Sequence, residues 1–183
     1  MADDHRQGAA SSALPRIFKA FALHLAMLVI AGAIIYFMTS GESSLSDATR
    51  AQFYDRPDQL SQIREDAVWQ LLMWLLFATL ASFVFTAIWL FSAERCRPEV
   101  PAQGSMRFGL WVMLFFVNLI VAGIIGWRQI WAANVNIDLA SSTILIGTLL
   151  VLAAVLLAYY LSTALFVKTV MKRSVPLGGL FSK

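Results

Sequence analysis

Two histidines, one cysteine and eleven acidic residues are the side chains of this 183-residue chain that could support acid–base, metal or thiol chemistry. Their positions argue against all three. His5 lies in the N-terminal segment and His24 inside a long apolar run, so no pair of imidazoles is spaced to ligate a metal or to hold a haem axially. Cys96 is the sole cysteine, which excludes an intrachain disulfide and the cysteine pair that a thiol oxidoreductase needs. Every Asp and Glu falls outside the apolar runs, so the intramembrane carboxylate of a small proton-coupled exporter has no candidate. Zinc motifs, phosphate loops and the Gly-x-Ser-x-Gly turn of a hydrolase are missing too. The expectation is a protein that is not an enzyme and carries no cofactor and no metal.

His24 is the intramembrane polar residue that matters most. Apart from Tyr36, Tyr159 and Tyr160 it is the sole titratable group of the runs. A proton relay needs a second titratable group at similar depth, and only tyrosines offer one. A neutral imidazole can instead hydrogen-bond a Ser, Thr or Asn of another helix. His24 is therefore read as structural.

The elements that must position these residues follow from composition. The chain is 59% hydrophobic and 14% charged, against about 45–50% and about 25% in soluble domains. Mean hydropathy is +0.70. A soluble domain, a disordered regulator and a secreted disulfide module are excluded. The pI near 9.3 does not mark a nucleic-acid binder, because net charge is +3 and no basic run exceeds two residues. Four runs without charge, at 20–38, 67–93, 108–127 and 139–167, each approach or exceed the roughly 20 residues needed to cross a hydrocarbon core. Backbone groups in lipid must be paired within the segment, so the runs are helices. All five prolines lie outside them. The fold class is all-α: a polytopic membrane protein, a four-transmembrane-helix bundle with an amphipathic extracytoplasmic helical extension before the second span.

The Lys and Arg distribution orients the bundle. Ten of the fourteen lie in the N-terminal segment, the 94–106 loop with Arg107, and the C-terminal tail; Arg50, Arg56, Arg64 and Arg128 lie on the other side. The expected arrangement is one integral domain, 1–183, with spans about 17–39, 67–93, 107–128 and 140–168. The N-terminus, the 94–106 loop and the tail are then cytoplasmic, and loops 40–66 and 129–139 extracytoplasmic. The first run is long for a cleaved leader and reads as a signal-anchor. A bacterial inner membrane is the expected location.

Within loop 40–66, Ser46 suits a helix cap with Asp47 in the first turn, and Pro57 suits the start of the next helix. From there Leu60 and Ile63 recur at helical spacing into the second span. Together with Glu65 and Asp66 they form the candidate partner-docking face. Trp69, Trp74, Trp127 and Trp131 are placed at the outer interface and Trp89 and Trp111 at the inner one, as belt anchors. Helix-packing candidates are the hydroxyl stripe Thr79, Ser82 and Thr86, the set Asn118, Ala122 and Gly126, and the set Ala154, Ala158 and Ser162. Small residues at this spacing let backbones approach, and the hydroxyls and amide bond across helices. Ala22, Ala26 and Ala33 are assigned the same role in the first helix. Cys96 is read as a bystander thiol. Leu180 and Phe181 form an apolar pair in the tail, beyond a fourth helix that continues for about a turn past Lys168.

These features point to a structural or assembly subunit of a larger inner-membrane machine, such as a conjugation or type IV secretion system. Its expected partners are other membrane subunits, in a hetero- or homo-oligomer, and the bilayer, with no nucleic acid. One alternative is the small non-catalytic subunit of a transporter. The chain is similar in size, spans and cytoplasmic ends to the small subunits of tripartite substrate-binding-protein-dependent transporters, but Arg64-Glu65-Asp66 stands where their Trp-x-Glu-Glu pattern precedes the second span. Another alternative is a self-associating channel, immunity or exclusion protein. The topology is directly testable. A reporter that fluoresces only in the cytoplasm should light up when fused after Lys183 and stay dark within 40–66; the reverse pattern contradicts the charge reading.

Overall fold

A computed structural model describes residues 2–94, 101–132, 138–167 and 175–176, without the side chains of 2–13, 42, 94, 101–106 and 132. Cys96, Leu180 and Phe181 lie outside the described residues, as does 168–174, where the fourth helix was expected to continue. The described chain is all-helical: α1 (Ala2–Thr39), α2 (Asp47–Gln52), α3 (Pro57–Glu94), α4 (Pro101–Gly126) with a π-helical continuation Trp127–Ala132, and α5 (Ser141–Phe166). Four of these helices are long and apolar enough to cross a membrane, at Leu14–Thr39, Pro57–Ala93, Arg107–Trp131 and Ser141–Phe166. The chain is a multi-pass membrane protein. Pro57 and Pro101 each open a helix, the position where a proline's missing N–H costs nothing. At 38 residues and about 1.5 Å per residue, α3 exceeds a hydrocarbon core of about 30 Å.

The chain divides into two compact units. The first comprises 1–26, 80–119 and 156–183; the second comprises 27–79 and 120–155. In the first unit Ala20, Trp89, Leu90, Ala93, Trp111, Leu114, Tyr159, Ala164 and Val167 form the apolar core, and Val175 of the tail is buried with them. The Tyr160 hydroxyl donates to the Pro176 carbonyl at 2.8 Å, which holds this piece of tail to α5.

The second unit is built on Ile35 of α1, Leu71, Trp74 and Leu75 of α3, and Val151 and Val155 of α5, with Leu45, Ala122, Ile130 and Leu139. Its loops are clipped by main-chain bonds. Ser46 N–H donates to the Asp138 carbonyl at 2.8 Å, Ala140 N–H donates to the Ser44 carbonyl at 2.9 Å, and Leu45 and Leu139 form an isolated antiparallel bridge between them. Burial pushes the Asp138 carboxyl above its ordinary value. Ser46 caps α2 by accepting Thr49 N–H at 3.2 Å. Thr39 ends α1 by donating its hydroxyl to the Ile35 carbonyl at 2.7 Å.

Trp74 joins α3 to α4 in the second unit. Its indole N–H donates to the Ala122 carbonyl at 2.8 Å, using the lone pair that the helix ladder leaves open. The benzo ring then lies over Gly126, one turn on, where any Cβ would overlap it. Gly126 is present because the ring occupies the space of a side chain.

Two expectations are corrected. Ala22, Ala26 and Ala33 are exposed; α1 buries Ala20, His24, Ala31, Ile35 and Thr39 instead. The alanines sit two residues, about 200° of helical rotation, from that stripe. The tryptophans also separate into two groups. Trp69, Trp127 and Trp131 are 58%, 65% and 50% exposed, but Trp74, Trp89 and Trp111 are 3%, 0% and 5% exposed and belong to the cores. Each shares a helical face with buried neighbours, as Trp111 does with Leu114 and Asn118, and burying so large a ring outweighs a place at the interface.

Gly126→Ala should lower unfolding stability in detergent by about 1–3 kcal/mol, the usual cost of overpacking. The penalty should shrink in a Trp74→Leu background, where the ring is gone. Equal penalties in both backgrounds contradict the contact.

Candidate functional site

The polar groups buried in the first unit converge on His24. Its Nδ1 lies 2.8 Å from the Ala20 carbonyl. A carbonyl can only accept, so Nδ1 carries the proton and Nε2 is the acceptor. Ser82 Oγ stands 3.2 Å from Nε2 and donates to it. Ser82 Oγ in turn accepts from Asn118 Nδ2 at 3.1 Å. The chain of donors therefore runs Asn118, Ser82, His24, Ala20, and it joins α4, α3 and α1. Thr86 Oγ1 flanks Nε2 at 3.4 Å, and Ser162 Oγ of α5 flanks Nδ1 at 3.3 Å. Phe83 closes the ring edge-on at 5.8 Å. All four long helices contribute a side chain.

The partners of the imidazole are three hydroxyls and a carbonyl, and the Asn118 amide joins through Ser82. This is hydrogen bonding suited to a neutral ring, with both nitrogens engaged and, among the described residues, no carboxylate or second imidazole bonded to it. Asn118 Oδ1 has no hydrogen-bond partner among the described residues and is the acceptor the network leaves open. Trp89 Nε1 is likewise without one among them.

A second polar set lies in the same unit. Trp111 Nε1 donates to Thr163 Oγ1 at 2.9 Å, Thr163 Oγ1 donates to the Tyr160 carbonyl at 2.9 Å, and the Tyr159 hydroxyl donates to the Trp111 carbonyl at 3.2 Å. Phe115 stacks on Trp111 at 5.4 Å. These bonds tie α4 to α5 as the His24 bonds tie α1, α3, α4 and α5.

The residues singled out by sequence take definite places. Ser82, Thr86, Asn118, Ala158 and Ser162 are buried in the first unit, and Thr79, Ala122, Gly126 and Ala154 in the second. Of these, Ser82, Thr86, Asn118 and Ser162 meet at His24; Ala122 and Gly126 meet Trp74. Leu60 and Ile63 are half-buried against the second unit's own core, while Glu65 and Asp66 are exposed. The apolar half of the docking face is thus partly used within the chain. Sequence reasoning reads Trp111 as a belt anchor and gives Tyr159 and Thr163 no packing role. The signal was available in α4, where Trp111, Leu114, Asn118 and Ala122 fall at one helical spacing. Among the described residues no group of three or more His, Cys, Asp or Glu is placed to hold a metal ion.

No family model, curated protein or solved structure matches the chain.

His24→Leu removes the ring's bonds to Ala20 and Ser82 and should cost about 1–2 kcal/mol of stability in detergent. His24→Asn, which keeps a donor and an acceptor, should cost less. Thermal unfolding of the purified variants checks this, and a His24→Leu protein as stable as the parent contradicts it.

Proposed function

We propose that this chain is a non-enzymatic structural or assembly subunit of a larger bacterial inner-membrane complex, such as a conjugation or type IV secretion-type machine. The observation that carries the reading is the state of His24. Its two ring nitrogens face Ala20, Ser82, Thr86 and Ser162, a carbonyl and hydroxyls that suit the fastening of helices and supply no second group that titrates near neutral pH. The polar interior is then an internal fastening, and the interactions that define the protein's role fall on its outer surfaces.

The length of α3 adds to this. With the termini cytoplasmic, as the basic residues favour, the turns from Pro57 to Asp66 project from the outer face of the membrane as a stalk. Glu65 and Asp66 are exposed on it, and their charge suits a partner outside the cytoplasm. Within the bilayer, only 17% of the apolar window of α1 is buried by the rest of the chain. That surface meets lipid or the helices of other subunits.

Gentle detergent extraction from native membranes, followed by mass spectrometry of what co-purifies, tests the proposal. The expected result is a fixed ratio of this chain to one or more different membrane subunits. Recovery as a homo-oligomer alone contradicts it and favours the channel, immunity or exclusion reading. Recovery with one large transporter subunit favours the transporter reading.

A further inference from the structure

We infer that the second unit carries a site for a zwitterionic phospholipid with a primary ammonium head, a phosphatidylethanolamine. A cavity of about 520 Å³ lies between the last turns of α1 and the start of the apolar part of α3, lined by Tyr36, Thr39, Ser40, Arg64, Glu65, Val68, Trp69 and Leu72. This inference does not depend on the assembly reading.

The α3 residues lie on one strip of the helix, with Arg64, Val68 and Leu72 at i, i+4 and i+8 and Glu65 and Trp69 at i and i+4 beside them. From Arg64 to Leu72 the strip descends about 12 Å, passing from charge to aromatic rings to aliphatic wall. A glycerophospholipid has the same order of chemistry along its axis: charged head, ester region, acyl chain. The exposed rings of Tyr36 and Trp69 are of the type that sits at the ester level of a bilayer.

Charge decides the head group. Arg64 donates one N–H to the Ser40 carbonyl at 3.1 Å, which orients the guanidinium and leaves its other donors open to the site. Glu65 forms no ion pair among the described residues, and as the next residue on the helix it does not face Arg64. The hydroxyls of Thr39 and Ser40 donate to backbone carbonyls of α1 and are occupied. The site therefore presents one cation oriented by Ser40 and one carboxylate without an ion pair among the described residues, both on its lining. A phosphate diester matches the guanidinium. The carboxylate asks for a cation that donates hydrogen bonds, which a primary ammonium does and a quaternary one does not. The head of phosphatidylglycerol beyond its phosphate is an uncharged glycerol, which leaves the Glu65 carboxylate without a cation.

The test uses the full-length protein, purified in mild detergent, delipidated, and given equal amounts of phosphatidylethanolamine, phosphatidylcholine and phosphatidylglycerol. Native mass spectrometry then reads the retained lipid. The wild type should retain phosphatidylethanolamine about tenfold over the other two, as expected of one charge-assisted hydrogen bond. Glu65→Gln should erase the preference over phosphatidylcholine. Arg64→Gln, which removes the guanidinium, should reduce retention of all three. Thermal stability of both variants should stay at the wild-type value, since each side chain is at the surface. Equal retention of the three lipids, a preference for phosphatidylglycerol, variants that retain lipid as the wild type does, or displacement of the lipid by soluble phosphoethanolamine overturns the inference.

Discussion

A polar side chain placed in hydrocarbon must find its partners inside the protein, because neither lipid nor water supplies them. The structure depends on how that constraint is met around His24. The ring donates to its own helix through the Ala20 carbonyl and accepts from Ser82 of α3, and Ser82 is oriented by Asn118 of α4. The bonds have one consistent direction in a neutral ring, since the Ala20 carbonyl cannot donate and so takes the one ring proton. Each member is individually worth about 1 kcal/mol in a membrane. Their shared geometry supplies register, since a helix that slides by one residue turns its polar group about 100° away from the others.

Apolar interiors hold helices by fit rather than by direction, and the second unit relies on fit. Trp74 combines the two modes: its N–H reaches Ala122 and its ring covers Gly126. Immediately after Gly126 the helix widens into the π-helical stretch Trp127–Ala132, a form that recurs where a helix accommodates an unusual local demand. The loop segments beside this unit are tied by the Ser46–Asp138 and Ala140–Ser44 bonds. These satisfy backbone groups that the ends of the helices would otherwise leave open.

The four apolar helices were legible because length and absence of charge are read residue by residue without knowledge of tertiary contacts. The hydroxyl stripe of α3 and the Asn118 face of α4 were legible for a similar reason: polar residues in an apolar run have few places to go. The contacts between particular helices were not legible. Nothing in the α1 sequence distinguishes the stripe of Ala20 and Ala31 from the exposed Ala22, Ala26 and Ala33, because alanine is compatible with either surface. Trp74, Trp89 and Trp111 read from the sequence as belt anchors and not as core rings because an amphipathic ring near the end of a run suits both a belt and a core. For Trp74 and Trp111 the choice depends on an acceptor, Ala122 or Thr163, that only the fold brings near. The Leu45–Leu139 bridge joins positions far apart in sequence and carries no local pattern at all.

Function follows from what the interior does not need from outside. If His24 is a fastening, its protonated nitrogen is fixed by Ala20 and its bare nitrogen by Ser82. Nitrogen-15 spectroscopy of the histidine-labelled protein in lipid at neutral pH reads that assignment directly. The account predicts for His24 a protonated Nδ1 and an unprotonated Nε2, with Ser82→Ala shifting the Nε2 resonance. An imidazolium, or a proton on Nε2, would contradict it and return His24 to the list of groups that could move a proton.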